Sequence, residues 1–544
     1  MRSVLLAVVL LLCGAVAGKG QSCLTPEDVK KMQARIESTA PVDSAPSKID
    51  KKLQSELLKM ALRQREMLQE VVAKDQENKS DREKLHKLFD KSTATLCDIL
   101  KENGWPTSAT VGPDGTAAAF YILRNGGTFE MQRDLLPVIV AAIKKDPSQK
   151  AEFAGLFDRL RVSAGMKQLF GTQAVSKGGF LIVYPVEDEK HLDARRAEFG
   201  LPKMDDNIRN LERIYGRPLV KSRQAPNSQH SKELTDSITK ALDASEVDAD
   251  YVDPGDVIRV ETSLVSLNVS IFNSKLKQFV GSLTKEDFRV VEDGKDQTVI
   301  YFASTDVPFD LVLLVDLSGS TADKRDLIKQ STLRFIEVAR PTDRLAIVTF
   351  SDEATIVSPL TLDRTQLTTS VQSMEGLGGS HVWDAVKFTF DNVLGPKTME
   401  RRRAVVLMSD GVDGALTRFG SPRGSKITFA GLLEQIRQND TLVVPIYLDT
   451  EGSIGGTFMK QEYENARRTM NLMAAESGGS YYQARKLADL NGVYEQVIND
   501  LGKVYSLGYK PTNEARDGSW RWVKVTVLNR PDLSAHTRPG YYAQ

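Results

Sequence analysis

Between Phe309 and Val504 the chain repeats one pattern, a short uninterrupted apolar run followed by a longer amphipathic stretch. The runs fall at 311–315, 345–348, 404–408 and 442–448, with helical periodicity at about 326–340, 364–373 and 382–394, and a further strand at 355–360. A strand apolar on both faces cannot leave one of them in water. Such strands require a sheet covered by helices on both sides, and helical crossovers make that sheet mostly parallel. The expected fold is therefore α/β, a doubly wound mostly parallel sheet of the Rossmann-like kind. Ligands in such sheets sit outside the carboxyl ends of the strands.

The flanks have a different texture. Val257, Val260, Leu264, Leu267, Val269 and Ile271 alternate, and Asp293-Gly294 after 288–292 is a hairpin dipeptide with a returning strand at 297–302. Alternation returns at 520–528, and 535–542 can pair back after Arg530-Pro531-Asp532. Strands at both ends of an α/β segment predict one small antiparallel β module, 256–305 completed by 506–544, around a domain at 306–505. Further upstream, Leu53, Leu57, Met60, Ala61, Met67, Leu68 and Val71 keep helical spacing, as do Leu85, Leu88, Phe89, Leu96, Ile99 and Leu100. These define a separate, mainly helical domain at 51–215, with a strand-like run at 179–185. The Pro/Ser/Ala-rich 39–47 marks 18–50 as a linker, and the polar 216–255, with one short helix at 234–242, as a second.

Met1-Arg2-Ser3, an apolar run at 4–16 and Ala15-Val16-Ala17 have the layout of an export signal at 1–17, cleaved after Ala17. An uncleaved anchor is the weaker reading, because a bilayer span needs ~20 residues. The mature chain is then exported, periplasmic or secreted, with no transmembrane segment. Cys13 leaves with the signal, and Cys23 and Cys97 either pair or stay as two thiols. Lys+Arg and Asp+Glu both number 72, so no global field draws nucleic acid. Three Cys and five His leave little for zinc or histidine chemistry. His191 with Glu187, Asp188 and Glu189 reads as a solvated charged turn rather than a metal or acid–base cluster.

The polar residues of the α/β segment concentrate where the apolar runs end. Asp316-Leu317-Ser318-Gly319-Ser320 follows the first run, Gly378-Gly379-Ser380 precedes a helix, and Ser409-Asp410-Gly411-Val412-Asp413-Gly414 follows a later run. This arrangement resembles the metal-ion-dependent adhesion site of von Willebrand factor type A domains. The resemblance implies a hard cation, Mg²⁺ with Mn²⁺ or Ca²⁺ as alternatives, held directly by Ser318, Ser320 and Ser380 and through waters by Asp316 and Asp410. Mg²⁺ wants six oxygens in near-octahedral geometry. Neutral direct ligands leave it under-compensated, so it favours a carboxylate from a partner. Gly319 and Gly379 are expected to allow a tight loop path, and Asp413 is a candidate outer-shell group. Ser380 stands where the family usually has threonine, and the hydroxyl is retained.

Two narrower resemblances follow. Glu292-Asp293-Gly294, Tyr505-Ser506-Leu507-Gly508-Tyr509 and Arg538-Pro539-Gly540-Tyr541-Tyr542 make 256–544 similar to exported von Willebrand-type proteins abundant in acidobacteria. Gly104-Trp105-Pro106-Thr107, Leu169-Phe170-Gly171-Thr172-Gln173, Arg195-Arg196 and Gly200-Leu201-Pro202 make roughly 50–215 similar to an uncharacterised bacterial helical family. The expected function is cation-dependent protein binding or adhesion outside the cytoplasm, through an Asp or Glu offered by a protein partner, without catalysis. A hydrolase in the helical domain and a metal-independent envelope scaffold are the alternatives; the chain lacks a recognisable nucleophile elbow, P-loop or paired His ligands.

Overall fold

The computed structural model describes residues 9–10, 22–38, 49–73, 79–223, 264–376, 378–394, 400–416, 424–450, 459–484 and 489–543. The chain divides into two compact units, Met1–Asp256 and Val257–Gln544. The short helix expected at 234–242 lies outside the described residues.

The first unit is mainly helical. Its long helices, Lys51–Ala73, Lys79–Asn103 and Ser108–Gly126, pack with Leu136–Lys145 and Lys150–Ser163 around one core containing Leu57, Leu96, Phe120, Ile139, Phe153 and Phe157. A small sheet of β1 (Val9–Leu10), β2 (Gln173–Lys177), β3 (Phe180–Val183) and β4 (Leu219–Lys221) completes it. Cleavage after Ala17 would remove β1. Two sequence expectations change here. Pro26–Ser38 is a helix and not linker: Thr25 and Asp28 close its first turn, and Met32 and Ile36, four residues apart on one face, are buried in the core. The second linker begins later than 216, because β4 pairs in parallel with β3.

The motif Leu169-Phe170-Gly171-Thr172 is a loop wrapped around a buried carboxylate. Asp158 accepts from the backbone N–H groups of Leu169, Phe170 and Thr172 and from the Thr172 hydroxyl. Arg196 closes the same loop by donating to the carbonyls of Phe170 and Pro202. Its specificity as a sequence signal is therefore structural. The charged turn around His191 is likewise held in place, by a hydrogen bond between Asp188 and His191 and by ion pairs of Asp188 with Arg195, Glu187 with Arg161, and Glu189 with Lys221.

In the second unit the α/β sheet runs β12 (Ala354–Thr361), β11 (Arg344–Phe350), β10 (Phe309–Asp316), β13 (Arg402–Ser409), β14 (Leu442–Leu448), β15 (Tyr482–Ala484). Every pairing is parallel except β11 with β12, so the antiparallel strand sits at an edge. Leu311, Leu313 and Val315 of β10 face a core with Ile328, Phe335, Tyr494 and Val497. The alternate residues Val312 and Leu314 are equally buried on the opposite face.

The chain on either side of this domain forms two antiparallel sheets. One orders β18 (Leu533–His536), β5 (Val265–Asn273), β16 (Val504–Tyr509) and β9 (Val299–Ala303), with β6 (Gln278–Val280) beside β5. The other orders β19 (Gly540–Tyr542), β17 (Trp520–Val527), β7 (Phe288–Glu292) and β8 (Lys295–Gln297). They share a core of Leu267, Val269, Val290, Tyr505, Leu507 and Val525, so strands from before and after the α/β domain close one module.

Cys23 and Cys97 form a disulfide across a sequence separation of 74, fastening the first helix to Lys79–Asn103. A loop of that length lowers the entropy of the unfolded chain enough to contribute about 4 kcal/mol. In urea unfolding followed by helical circular dichroism, the Cys23→Ser, Cys97→Ser double variant is expected to lose most of that figure from the transition of the first unit. An unchanged midpoint would mean that the link is dispensable.

Candidate metal centre at the strand switch point

Strand order reverses between β10 and β13, which leave their crossovers on opposite sides of the sheet. The crevice at such a reversal is where α/β sheets bind ligands. Val315 lies opposite Met408 in the parallel register. The next residues along, Asp316 and Ser409-Asp410, therefore emerge together at the carboxyl edge.

Asp316 is fully buried and collects donors from three loops. Its Oδ1 accepts from the Ser318 backbone N–H at 2.9 Å, and its Oδ2 accepts from Ser380 Oγ at 3.2 Å and Ser409 Oγ at 2.6 Å. Ser318 Oγ and Ser320 Oγ lie 3.2 Å apart. Asp410 is also buried; its carboxylate accepts from the Val412 N–H and from Thr450 Oγ1, which in turn meets the Tyr463 hydroxyl. Burial, and next the Asp410 charge beside it, hold the Asp316 carboxyl above the usual carboxylate range, while the hydrogen bonds from Ser318 and Ser409 pull the other way. These hydrogen bonds offset the effect of burial and of the neighbouring charge without cancelling it.

The middle loop is tied to both sides. Gly319 N–H donates to Gly378 O at 3.1 Å, and Gly414 N–H to Ser380 O at 3.0 Å. Gly379 N–H donates to Asp352 Oδ1 at 2.7 Å. Of the glycines expected to allow this path, Gly319 has ordinary room for a Cβ. The position that requires glycine is Gly378, at φ +123°, where a side chain would collide with the Asp352 carboxylate. Asp413 braces a different contact. It accepts from Trp383 N–H, Ala415 N–H and both the N–H and hydroxyl of Ser425, anchoring the helix Val382–Asn392 that follows Ser380.

All five expected residues thus lie on three loops joined by hydrogen bonds, around two buried carboxylates and three hydroxyls. Among the described residues no three His, Cys, Asp or Glu side chains gather as a metal cluster. A cation here would have to be one that accepts neutral hydroxyl oxygens alongside carboxylates. Donors of that kind suit Mg²⁺, Mn²⁺ or Ca²⁺ and do not suit a soft metal.

Residues 311–412, from the first strand to just past Asp410, match the family described as von Willebrand factor type A domain. The second unit carries a von Willebrand factor type A domain. Residues 51–221 match a family of unknown function, DUF6624. Among solved structures, the chain is similar to the conserved hypothetical protein BatB of Bacteroides thetaiotaomicron, at 14% identity over 36% of this chain and 99% of that one, with a TM-score of 0.28. The vWF domain of the type V pili tip protein Mfa5 of Porphyromonas gingivalis gives 14% identity over 36% and 94%, with a TM-score of 0.28. A von Willebrand factor type A protein of Catenulispora acidiphila gives 13% over 53% and 65%, with a TM-score of 0.29.

Sequence reasoning missed three participants in this von Willebrand factor type A domain. Ser409, which makes the shortest contact to Asp316, carried a signal: it is the last residue of an apolar run, directly before Asp410. Thr450 follows β14 by two residues and had only its place at a strand end to mark it. Asp352, between β11 and β12, had none. Ser409→Ala removes the 2.6 Å donor to Asp316 and the acceptor of the Gly411 N–H. It is expected to lower stability by roughly 2 kcal/mol in EDTA, read from the urea midpoint. A change under about 0.5 kcal/mol would show that the carboxylate does not depend on it.

Proposed function

We propose that this protein is an extracytoplasmic, divalent-cation-dependent protein-binding module. Ser318, Ser320 and Ser380 would hold Mg²⁺ directly, with Asp316 and Asp410 as outer carboxylates. The bound cation would supply one open coordination position for an Asp or Glu side chain of the partner.

The observation that carries the reading is the meeting of these five side chains on three hydrogen-bonded loops at the sheet's switch point. The von Willebrand factor type A match supports interaction rather than catalysis. The Cys23–Cys97 disulfide supports an oxidising compartment, and no helix among the described residues is long and apolar enough to cross a membrane. A second reading, a metal-independent scaffold, has one observation in its favour: Asp316 already accepts three hydrogen bonds within the protein.

Isothermal titration of the full chain with MgCl₂ separates the two. The expected result is saturable binding that Ser318→Ala or Ser380→Ala weakens at least tenfold, with capture of envelope proteins lost in EDTA. Absence of binding by Mg²⁺, Mn²⁺ and Ca²⁺ alike would leave the scaffold.

A further inference from the structure

The interior of the helical unit holds a second concentration of charge that its fold does not use. Arg124, on the helix Ser108–Gly126, is 5% exposed, and its Nε is buried without a hydrogen-bond partner. Its guanidinium lies over the Tyr121 ring, 5.7 Å from the centroid. Arg159, on Lys150–Ser163, has a buried Nη1 with no partner. Gln64, on Lys51–Ala73, is wholly buried with both amide atoms unpartnered. Compare Arg161 and Arg196 of the same unit, whose guanidiniums are spent on backbone carbonyls and Glu187.

The arrangement is built and not incidental. Gly155 sits mid-helix, where glycine costs about 1 kcal/mol relative to alanine. A Cβ there would collide with Arg124 Nη1, so the glycine makes room for the guanidinium. Arg159 lies one turn beyond Gly155 on the same helix, and both it and Tyr215 are partly exposed. The electrostatics agree with this grouping. Burial lowers both arginines from their ordinary values; the Arg124 charge lowers Arg159 further, and Tyr121 and Tyr215 both feel Arg124 and Arg65. Glu152 is a carboxylate whose charge reaches Arg124.

Burying guanidinium groups without full hydrogen bonding costs several kcal/mol. Their planar forks match carboxylate and phosphate oxygens in pairs. We infer that the helical unit is a receptor for a small oxyanion, carboxylate- or phosphate-bearing, gripped by Arg124 and Arg159 beside Tyr121 and Tyr215. This site lies in the other unit from the adhesion-type centre and is independent of it.

The test uses the full chain stripped of divalent cations with EDTA and then freed of the chelator, so that neither a cation elsewhere nor the carboxylates of EDTA compete for the anion. Thermal unfolding and isothermal titration are run with inorganic phosphate and with succinate, each against NaCl at equal ionic strength. The expected result is a saturable rise in the melting temperature with at least one anion, and the preferred one identifies the ligand's acidic group. Arg124→Gln and Arg159→Gln should each weaken that binding at least tenfold. Gly155→Ala, which displaces the guanidinium without removing its charge, should weaken it as well. Should an arginine variant fail to fold, the wild-type titration still decides. No response beyond that of NaCl to either anion, or binding unaltered in folded Arg124→Gln, would overturn the inference.

Discussion

Asp316 and Asp410 bring two carboxylates into the interior at the ends of neighbouring strands, and the top of the α/β domain is organised around their burial. Parallel register between β10 and β13 makes the pairing unavoidable. With Val315 opposite Met408, the first polar residues beyond each strand must share the same crevice. Everything nearby is a donor or a tether: Ser318, Ser380 and Ser409 point hydrogens at Asp316, Val412 and Thr450 at Asp410. Even so, the Asp316 carboxyl stays above its ordinary range. Donors worth about 1 kcal/mol apiece do not cancel the cost of burying a carboxylate beside a second one.

The loops that carry these groups are tied to one another and not left to solvent. Gly319 bonds to Gly378, Gly414 to Ser380, and Gly379 to Asp352, so displacement of one loop pulls on the others. Asp413 extends the linkage to the start of the helix Val382–Asn392 through Trp383 and Ser425. A change in charge at the centre therefore has a mechanical route to a helix. A buried charge pair of this sort is costly to the folded state. It persists where the site, rather than the stability of the fold, requires it.

Much of this was legible in the sequence because burial on both faces leaves an unambiguous trace. A strand such as 311–315 can occur only inside a covered sheet, and polar residues at the ends of such runs mark its functional edge. The antiparallel module was legible for the converse reason, since one-sided burial writes alternation into 520–528. The helix Pro26–Ser38 was missed because its Pro/Ser/Ala-rich neighbourhood outweighed one apolar face of a few residues, and its stability comes from the core and the disulfide rather than from local propensity. Thr450 and Asp352 were invisible for a different reason. They reach the site through tertiary folding of loops whose own sequences carry no periodicity.

The two units place charge in opposite ways, and the contrast is informative about each. In the α/β domain, acids are buried beside hydroxyls, an oxygen-rich set suited to a cation. In the helical unit, a guanidinium is buried over a phenol ring with a second arginine near it, a donor-rich set suited to an anion. Neither could arise from the neutral balance of 72 basic and 72 acidic residues, which dictates only the far field. Local burial decides what a charge can do, because desolvation removes the water that would otherwise satisfy it. Gly155 makes the point most sharply. A helix that accepts the cost of glycine to seat a guanidinium, and then leaves that guanidinium short of hydrogen bonds, is shaped for something the chain itself does not provide.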